Sequence, residues 1–310
     1  MNNAVPKYIS ATEISKVSDL KALVNEIRLA YNSRKIEAKV PKRSLILRNN
    51  PFSAFLTMPA YNEQYGIFIT KIGAVVPRAD KKSSVRSLIV AYSNEAEEAA
   101  ILFDGAEITN LKCAAVSALV TDICSHESAK VHAIIGSGIQ AKTQIRAVSC
   151  VRNLTQIRIY SREPKNVENF IRESKAFAKQ VNMVSCASIQ EAIAGADIIS
   201  TATTSVEPLF ATKDLQTRRL HINCMGAHTP YSSELPVGIV AEAKLIVEDL
   251  ETAIAEAGEI NRYAITLPEL VCYDVRELKE NKTIFRSTGH ASLDLLTVIH
   301  VMKGLGLQSV

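Results

Sequence analysis

The residues with the most chemical content fall into two sets. The first is a run of small residues. Val131 to Ile135 is followed by Gly136, Ser137, Gly138, Ile139, Gln140 and Ala141, then by Gln144, Ile145 and Val148 at helical spacing. An apolar strand, a GxGxxA turn and a helix, in that order, are what a pyrophosphate requires. Gly136 permits the tight turn, Gly138 lets backbone N–H groups approach the phosphates, and Ala141 allows close helix–strand packing. The helix N-terminus then faces the anion with its partial positive charge. Glycine-containing strand–helix turns are common in α/β proteins, so the match alone is weak. Here it opens a run of alternating strands and helices, which favours dinucleotide binding over a plain structural turn.

The end of the next strand, Arg158 to Arg162, bears on the choice of dinucleotide. A chain that binds NAD usually places Asp or Glu there for the ribose 2′-hydroxyl, whereas a 2′-phosphate suits a hydroxyl and a guanidinium. Ser161 and Arg162 point to NADP(H) rather than NAD(H). The other reading is a solvated arginine, with Glu163 doing the acidic work one residue later.

The second set is basic residues on otherwise apolar faces. Between Ile67 and Val75, period-two alternation puts Lys71 on the face of Ile67, Ile69 and Val75. A buried ammonium must titrate, pair, or await an anion. Arg43 shares a face with Leu45 and Leu47 near a strand start, and Lys112 aligns with Ala115, Val116 and Leu119 on a helix. Three cations converging on one pocket would suit a substrate carboxylate; singly, each reads first as a long side chain that buries only its stem. His228, just beyond the strand Leu220 to Met225 and Gly226, is the histidine best placed for acid–base work. A loop histidine that merely caps backbone is an equal alternative.

These residues need two kinds of scaffold. Up to about residue 105 the pattern is strand-rich: Ser44 to Leu47, Ala54 to Met58, Ile67 to Val76, Val85 to Ala91 and Ala99 to Phe103, with turns at Asn49-Asn50-Pro51, Ser93-Asn94 and Asp104-Gly105. This half predicts a largely antiparallel sheet, preceded by an amphipathic helix over Asp19 to Ser33. From Thr109, read as an N-cap, an alanine-rich helix runs to about Cys124. Strands at Val131 to Ile135, Gln156 to Tyr160, Asn182 to Cys186, Asp197 to Ala202, Leu220 to Met225 and Leu245 to Glu248 then alternate with helices, one opened by a capping box over Ser188 to Glu191. Such alternation predicts a doubly wound parallel sheet with helices on both faces. A strand at Thr283 to Arg286, a Gly289 turn and a helix from Ala291 to Lys303 close the chain, and that helix is expected to return to the first domain.

At 310 residues the chain is long enough for two domains, expected at 1–112 with 290–310 (substrate binding and dimerisation) and at 113–289 (NAD(P) binding). Its charge of +4 is spread over 36 basic and 32 acidic residues without a basic stripe, so a small-molecule partner is expected rather than nucleic acid. The first ten residues lack a secretory leader pattern and no apolar run reaches membrane-spanning length, giving the expectation of a cytoplasmic chain with no membrane partner. The six cysteines, none nearer than the 11 positions from Cys113 to Cys124, form no CxxC hook. Reduced thiols and no metal site are expected.

Several stretches carry a resemblance to one family: Met58 to Tyr61, Thr70-Lys71, Asp104-Gly105 with Ile108-Thr109, Ala114 to Ala118, Gly136 to Ala141, Ala194 to Ile198, Gly226-Ala227, Glu234-Leu235, Glu256 to Glu259, and Gly289 with Asp294. In that order they resemble the ornithine cyclodeaminase and mu-crystallin family over about Arg43 to Lys303. The resemblance implies a Rossmann domain for a nicotinamide cofactor, a homodimer formed through the N-terminal sheet, and a substrate carboxylate held on Arg43, Lys71 and Lys112 beside Met58. The family has Arg where this chain has Lys112, which keeps the charge but loses the bidentate fork. Catalytic roles are implied for Lys71 and Asp294, and His228 stands as the catalytic candidate read from its place beyond Gly226. Cofactor contacts are implied for Gly136 to Ala141, Ser161, Arg162, Thr201, Ala202, Thr203, Met225, Gly226 and Gly289.

Cyclodeaminases and related archaeal alanine dehydrogenases carry an Asp where this chain has His228, and mu-crystallin-like ketimine reductases lack it. The resemblance therefore implies an NAD(P)H-dependent reductase of a cyclic α-imino acid of the pyrroline-2-carboxylate or piperideine-2-carboxylate type. Alternatives are ornithine or lysine cyclodeamination with ammonia release, an amino-acid dehydrogenase, and a catalytically weak NADPH-binding crystallin-like protein.

Overall fold

The computed structural model describes residues 5–32, 38–49, 52–77, 83–94, 100–215, 217–226 and 233–307. The chain divides into two compact units, Met1–Lys112 with His290–Val310, and Cys113–Gly289.

The first unit begins with β1 (Lys7–Ile9), α1 (Ala11–Val17), α2 (Leu20–Asn32) and β2 (Ala38–Lys39). It continues through β3 (Ser44–Asn49), β4 (Phe52–Asn62), β5 (Ile67–Pro77), β6 (Ser83–Ser93) and β7 (Ile101–Asp104). The strands lie in the order β1-β7-β6-β5-β4-β2, with β3 also on β4. Pairing is antiparallel throughout except that β1 runs parallel to β7. This three-residue strand carries too little pattern to be read from sequence. It leads into α1, whose start is a capping box: Ser10 Oγ accepts from Glu13 N at 3.4 Å and the Glu13 carboxylate accepts from Ser10 N at 2.9 Å.

The register builds one rung across five strands: Ile9 opposite Phe103, Phe103 opposite Ile89, Ile89 opposite Lys71, and Lys71 opposite Met58. Ile9, Phe103, Ile89 and Met58 are buried, so Lys71 faces the core side of the sheet, as alternation requires. The other face keeps Tyr8, Phe55, Phe68 and Tyr92 exposed, with the Tyr61 and Phe68 rings stacked at 4.0 Å.

The helix α3 (Gly105–Cys124) carries the chain across the unit boundary. It starts four residues before Thr109, because Asp104 Oδ1 accepts from Glu107 N at 2.8 Å and takes the capping role. Thr109 is internal and its hydroxyl donates to Gly105 O at 2.6 Å. Every residue from Leu111 to Thr121 is buried, so alignment with apolar neighbours does not single out a face for Lys112. At the far end the Arg152 guanidinium donates to the carbonyls of Thr121, Asp122 and Ser125, closing the negative end of the helix with a cation.

The second unit alternates β8 (Val131–Ile135), α4 (Ile139–Val151), β9 (Gln156–Tyr160), α5 (Lys165–Ser174), β10 (Asn182–Ser185), α6 (Ile189–Ile193) and β11 (Ile198–Thr201). After β12 (Leu220–Cys224) come α7 (Val237–Glu242), β13 (Lys244–Val247), α8 (Leu250–Ala257), β14 (Ile265–Thr266), α9 (Leu267–Leu270), α10 (Val275–Lys279) and β15 (Lys282–Arg286). All pairings are parallel, in the order β10-β9-β8-β11-β12-β15-β13-β14. Both faces are covered. Ile135, Ile199, Ile222 and Ile284 join one core, and Ile134, Ile157, Ile159 and Ile198 another. That is why these strands read as near-continuous apolar runs. The strand order reverses between β8 and β11, which is where a doubly wound sheet opens to a ligand. At α6, Ser188 Oγ accepts from Glu191 N at 3.1 Å as the capping box predicts, but the Glu191 carboxylate reaches Ala187 N at 2.7 Å instead of Ser188 N.

The chain then returns to the first unit as α11 (Ala291–Gly304), which packs on α2, β4 and β5. All six cysteines are free thiols. Among the described residues no helix is long and apolar enough to cross a membrane.

Candidate active site

In the second unit the GxGxxA turn has the form a pyrophosphate needs. Gly136 adopts φ 123°, and a Cβ there would fall 2.4 Å from Ala202 O, so only glycine fits between the end of β8 and the end of β11. Gly136 N donates to Tyr160 O and Ala202 N to Ile135 O, both at 2.9 Å, which ties the ends of three neighbouring strands together. At Gly138 the reverse holds: nothing lies within 4 Å of where a Cβ would be. Gly138 is the N-cap of α4 and supplies no side-chain cap. A cradle that a side chain would fill, at the N-terminus of a 13-residue helix, fits a dinucleotide's phosphates. Ala141 is fully buried, Gln140 is half-buried, and Ile139 is exposed on the first turn.

Beside this turn Ser137 Oγ and Ser161 Oγ lie 2.8 Å apart, and Ser161 Oγ accepts from Glu163 N at 3.4 Å. Arg162 is exposed, and Glu163 pairs with Lys165 at 3.7 Å. The expected strand-end residues meet on a side chain the sequence reading did not assign a role. Glu234, fully buried, accepts from Thr201 Oγ1 at 2.8 Å, Thr203 N at 2.7 Å, Thr203 Oγ1 at 2.5 Å and Gly226 N at 3.0 Å. A Cβ on Gly226 would sit 2.3 Å from the Glu234 carboxyl carbon. Met225 is half-buried next to it, with its sulfur 3.5 Å from Ser117 Oγ. A second carboxylate does the same for the segment after β15. Glu248 accepts from Ser287 Oγ at 2.5 Å, Thr288 N at 3.0 Å and Gly289 N at 3.1 Å.

In the first unit Lys71 Nζ lies 3.4 Å from Asp294 Oδ1, with side chains 11% and 0% exposed. Asp294 sits in the first turn of α11, so the return of this helix to the sheet delivers the counter-ion. Its other oxygen, Oδ2, is buried and has no hydrogen-bond partner. Met58 is the cross-strand neighbour of Lys71. Lys112 is buried in α3, whereas Arg43 is half-buried ahead of β3. The strand that follows Arg43 does not place it on a buried apolar face: Leu45, Ile46 and Leu47 are all more than half exposed. His228 lies outside the described residues.

Two histidines within the second unit's strands were not singled out. His132 Nε2 contacts Ser200 Oγ at 2.9 Å, and His221 Nδ1 contacts Thr283 Oγ1 at 2.9 Å. Burial pushes both down to about 3, so they are neutral packing groups. A histidine in the middle of an otherwise apolar strand is the signal for such a group.

A doubly wound parallel sheet with a glycine turn at its switch point defines a dinucleotide-binding fold, here joined to a sheet unit that buries a lysine. The chain belongs to the ornithine cyclodeaminase/mu-crystallin family, whose model matches residues 5–304. It is 29% identical, over 95% of both chains, to a Delta(1)-pyrroline-2-carboxylate reductase of Bacillus cereus. It is 27% identical to the ketimine reductase mu-crystallin of Rattus norvegicus, over 94% of this chain and 95% of that one. Among solved structures it resembles the Thermococcus litoralis Delta(1)-pyrroline-2-carboxylate reductase in complex with NADH and L-proline, with TM-score 0.85, 26% identity, and 97% and 98% of the two chains covered.

Proposed function

We propose that this protein is an NAD(P)H-dependent reductase that converts the C=N bond of a cyclic α-imino acid, of the pyrroline-2-carboxylate or piperideine-2-carboxylate type, into the cyclic amino acid. The observation that carries the reading is the Lys71–Asp294 pair, with side chains 11% and 0% exposed, in a chain whose relatives bear the names of imine reductases. An ammonium on a rung of apolar side chains is costly to bury, and its counter-ion keeps one carboxylate oxygen without a partner. Such a pair is poised for a ligand rather than for stability.

In this reading the first unit binds the imino acid. Arg43 and Lys112 hold its carboxylate, Met58 packs on the ring, and Lys71 holds a proton for the imine nitrogen while Asp294 fixes the lysine's position. The second unit binds the cofactor through Gly136, Ser137, Gly138, Ile139, Gln140 and Ala141, with Thr201, Ala202, Thr203, Met225, Gly226 and Gly289 at the strand ends. When bound, the reduced nicotinamide supplies the hydride. The protein's own contribution is orientation of the imine and a proton held beside it. His228 is a second candidate for managing that proton.

We also propose that NADP(H) is preferred over NAD(H). Ser161 and exposed Arg162 suit a 2′-phosphate, and the acidic candidate Glu163 is engaged by Lys165. The exposed aromatic face of the first unit's sheet supports a homodimer formed there, and a light-scattering mass of one chain would count against it. The reductase reading is tested by following nicotinamide absorbance with both imino acids and both cofactors. Oxidation of NADPH by either imino acid is expected; a flat trace in all four combinations refutes it.

A further inference from the structure

We propose that Glu234 and Glu248 are positioning residues for the cofactor: two carboxylates that hold the segments after β11, β12 and β15 in the shape the dinucleotide needs. The inference rests on the reading of the second unit as the cofactor-binding unit.

The two sites share one donor pattern. In each, both carboxylate oxygens face a backbone N–H: Thr203 N on Oε1 and Gly226 N on Oε2 of Glu234, Gly289 N on Oε1 and Thr288 N on Oε2 of Glu248. Hydroxyls add to the set, from Thr201 and Thr203 at the first and Ser287 at the second. A hydroxyl can rotate to offer a lone pair, but a backbone N–H cannot. Glutamine at either position would therefore turn its amide NH₂ against a fixed donor whichever way it flipped. The Cys224 thiol, 3.7 Å from Glu234, is pushed up by burial and then by the negative charge of that carboxylate, so it too stays a donor.

The place of these bonds ties them to function rather than to packing alone. They fall at the C-terminal ends of parallel strands, where doubly wound sheets bind ligands. Residues 201 and 203, both held by Glu234, flank Ala202, whose carbonyl oxygen occupies the space a Cβ on Gly136 would need. Movement of the 201–203 segment is thus transmitted to the phosphate turn with no contact between Glu234 and the cofactor. Gly226 faces the carboxyl group so closely that a methyl there would displace it.

The test uses the full chain with Glu234→Gln and Glu248→Gln, reading NADPH affinity by nicotinamide fluorescence in the absence of imino acid, with the apo thermal midpoint alongside. The expected result is NADPH binding weakened by about tenfold to a hundredfold in each folded variant, the size of one lost charge-assisted bond and one unsatisfied donor. Variants whose midpoint falls while the affinity of the folded protein stays at the parent value overturn the proposal. Should either Gln variant fail to fold, Ser287→Ala removes one hydroxyl donor to Glu248 at a residue assigned no cofactor contact, and leaves the carboxylate in place. It is expected to weaken NADPH a few-fold, and unchanged affinity overturns the proposal. A parent chain that binds neither NADPH nor NADH overturns the cofactor reading itself, an outcome distinct from a parent that binds and variants that bind equally well.

Discussion

Lys71 in the first unit and Glu234 in the second are both ionisable groups largely withdrawn from water, and their surroundings differ in kind. Glu234 is saturated, with both oxygens taken by backbone N–H and hydroxyl donors. Lys71 meets a counter-ion at 3.4 Å whose second oxygen has no hydrogen-bond partner. Saturation marks a group that holds backbone in place; an unfilled acceptor beside a buried ammonium marks a group that waits for something else. Two histidines of the second unit are a third kind: burial holds both neutral with one ring nitrogen on a hydroxyl, and His132 Nδ1 is left without a hydrogen-bond partner.

Three experiments bear on this contrast. The largest effect is expected from acid, through the second unit. His132 and His221 have folded values of about 3 against an ordinary 6.5, so their contribution to stability is complete above 6.5 and is lost as pH falls toward 3. Denaturant titrations at pH 7 and pH 5 should differ by about 4 kcal/mol from the two together, with proton uptake on unfolding. Equal stability at the two pH values would show that these rings are not held neutral. Next is Asp294→Ala, which removes the carboxylate 3.4 Å from the Lys71 ammonium and should cost about 3 kcal/mol. The double change Asp294→Leu with Lys71→Met should recover much of that loss, and a single variant as stable as the parent would remove the pair from the account. The smallest is Arg162→Ala, expected to weaken NADPH by about tenfold and NADH hardly at all. Equal weakening of both would reverse the cofactor preference.

The second unit was more legible in the sequence than the first. The bounds of β8 and β9 follow from two different patterns: β8 is an almost fully buried, mostly apolar run, whereas β9 alternates, with Ile157 and Ile159 buried and Gln156, Arg158 and Tyr160 half-buried. The phosphate turn was equally plain, since glycine at a left-handed position and beside an open cradle is a local requirement. What the sequence hid is non-local. Lys71 was visible as a charge on an apolar face, but its partner lies 223 residues away and is brought in by α11. Glu234 and Glu248 draw donors from segments up to 41 residues off, and a lone glutamate in a loop gives no sign of that. Arg43 lies near a strand start, where exposure is easy, and Leu45 and Leu47 beside it are exposed: alternation predicts which residues share a face but not whether that face is covered.

Whether Lys71 of the first unit does chemistry while the second unit holds the cofactor is decided by Lys71→Ala. Its kcat with the imino acid and its NADPH affinity are measured on the same preparation. Turnover should fall by about a hundredfold or more, the worth of a positioned proton donor, with NADPH binding as in the parent. An unchanged kcat, or loss of NADPH binding in step with turnover, would contradict it.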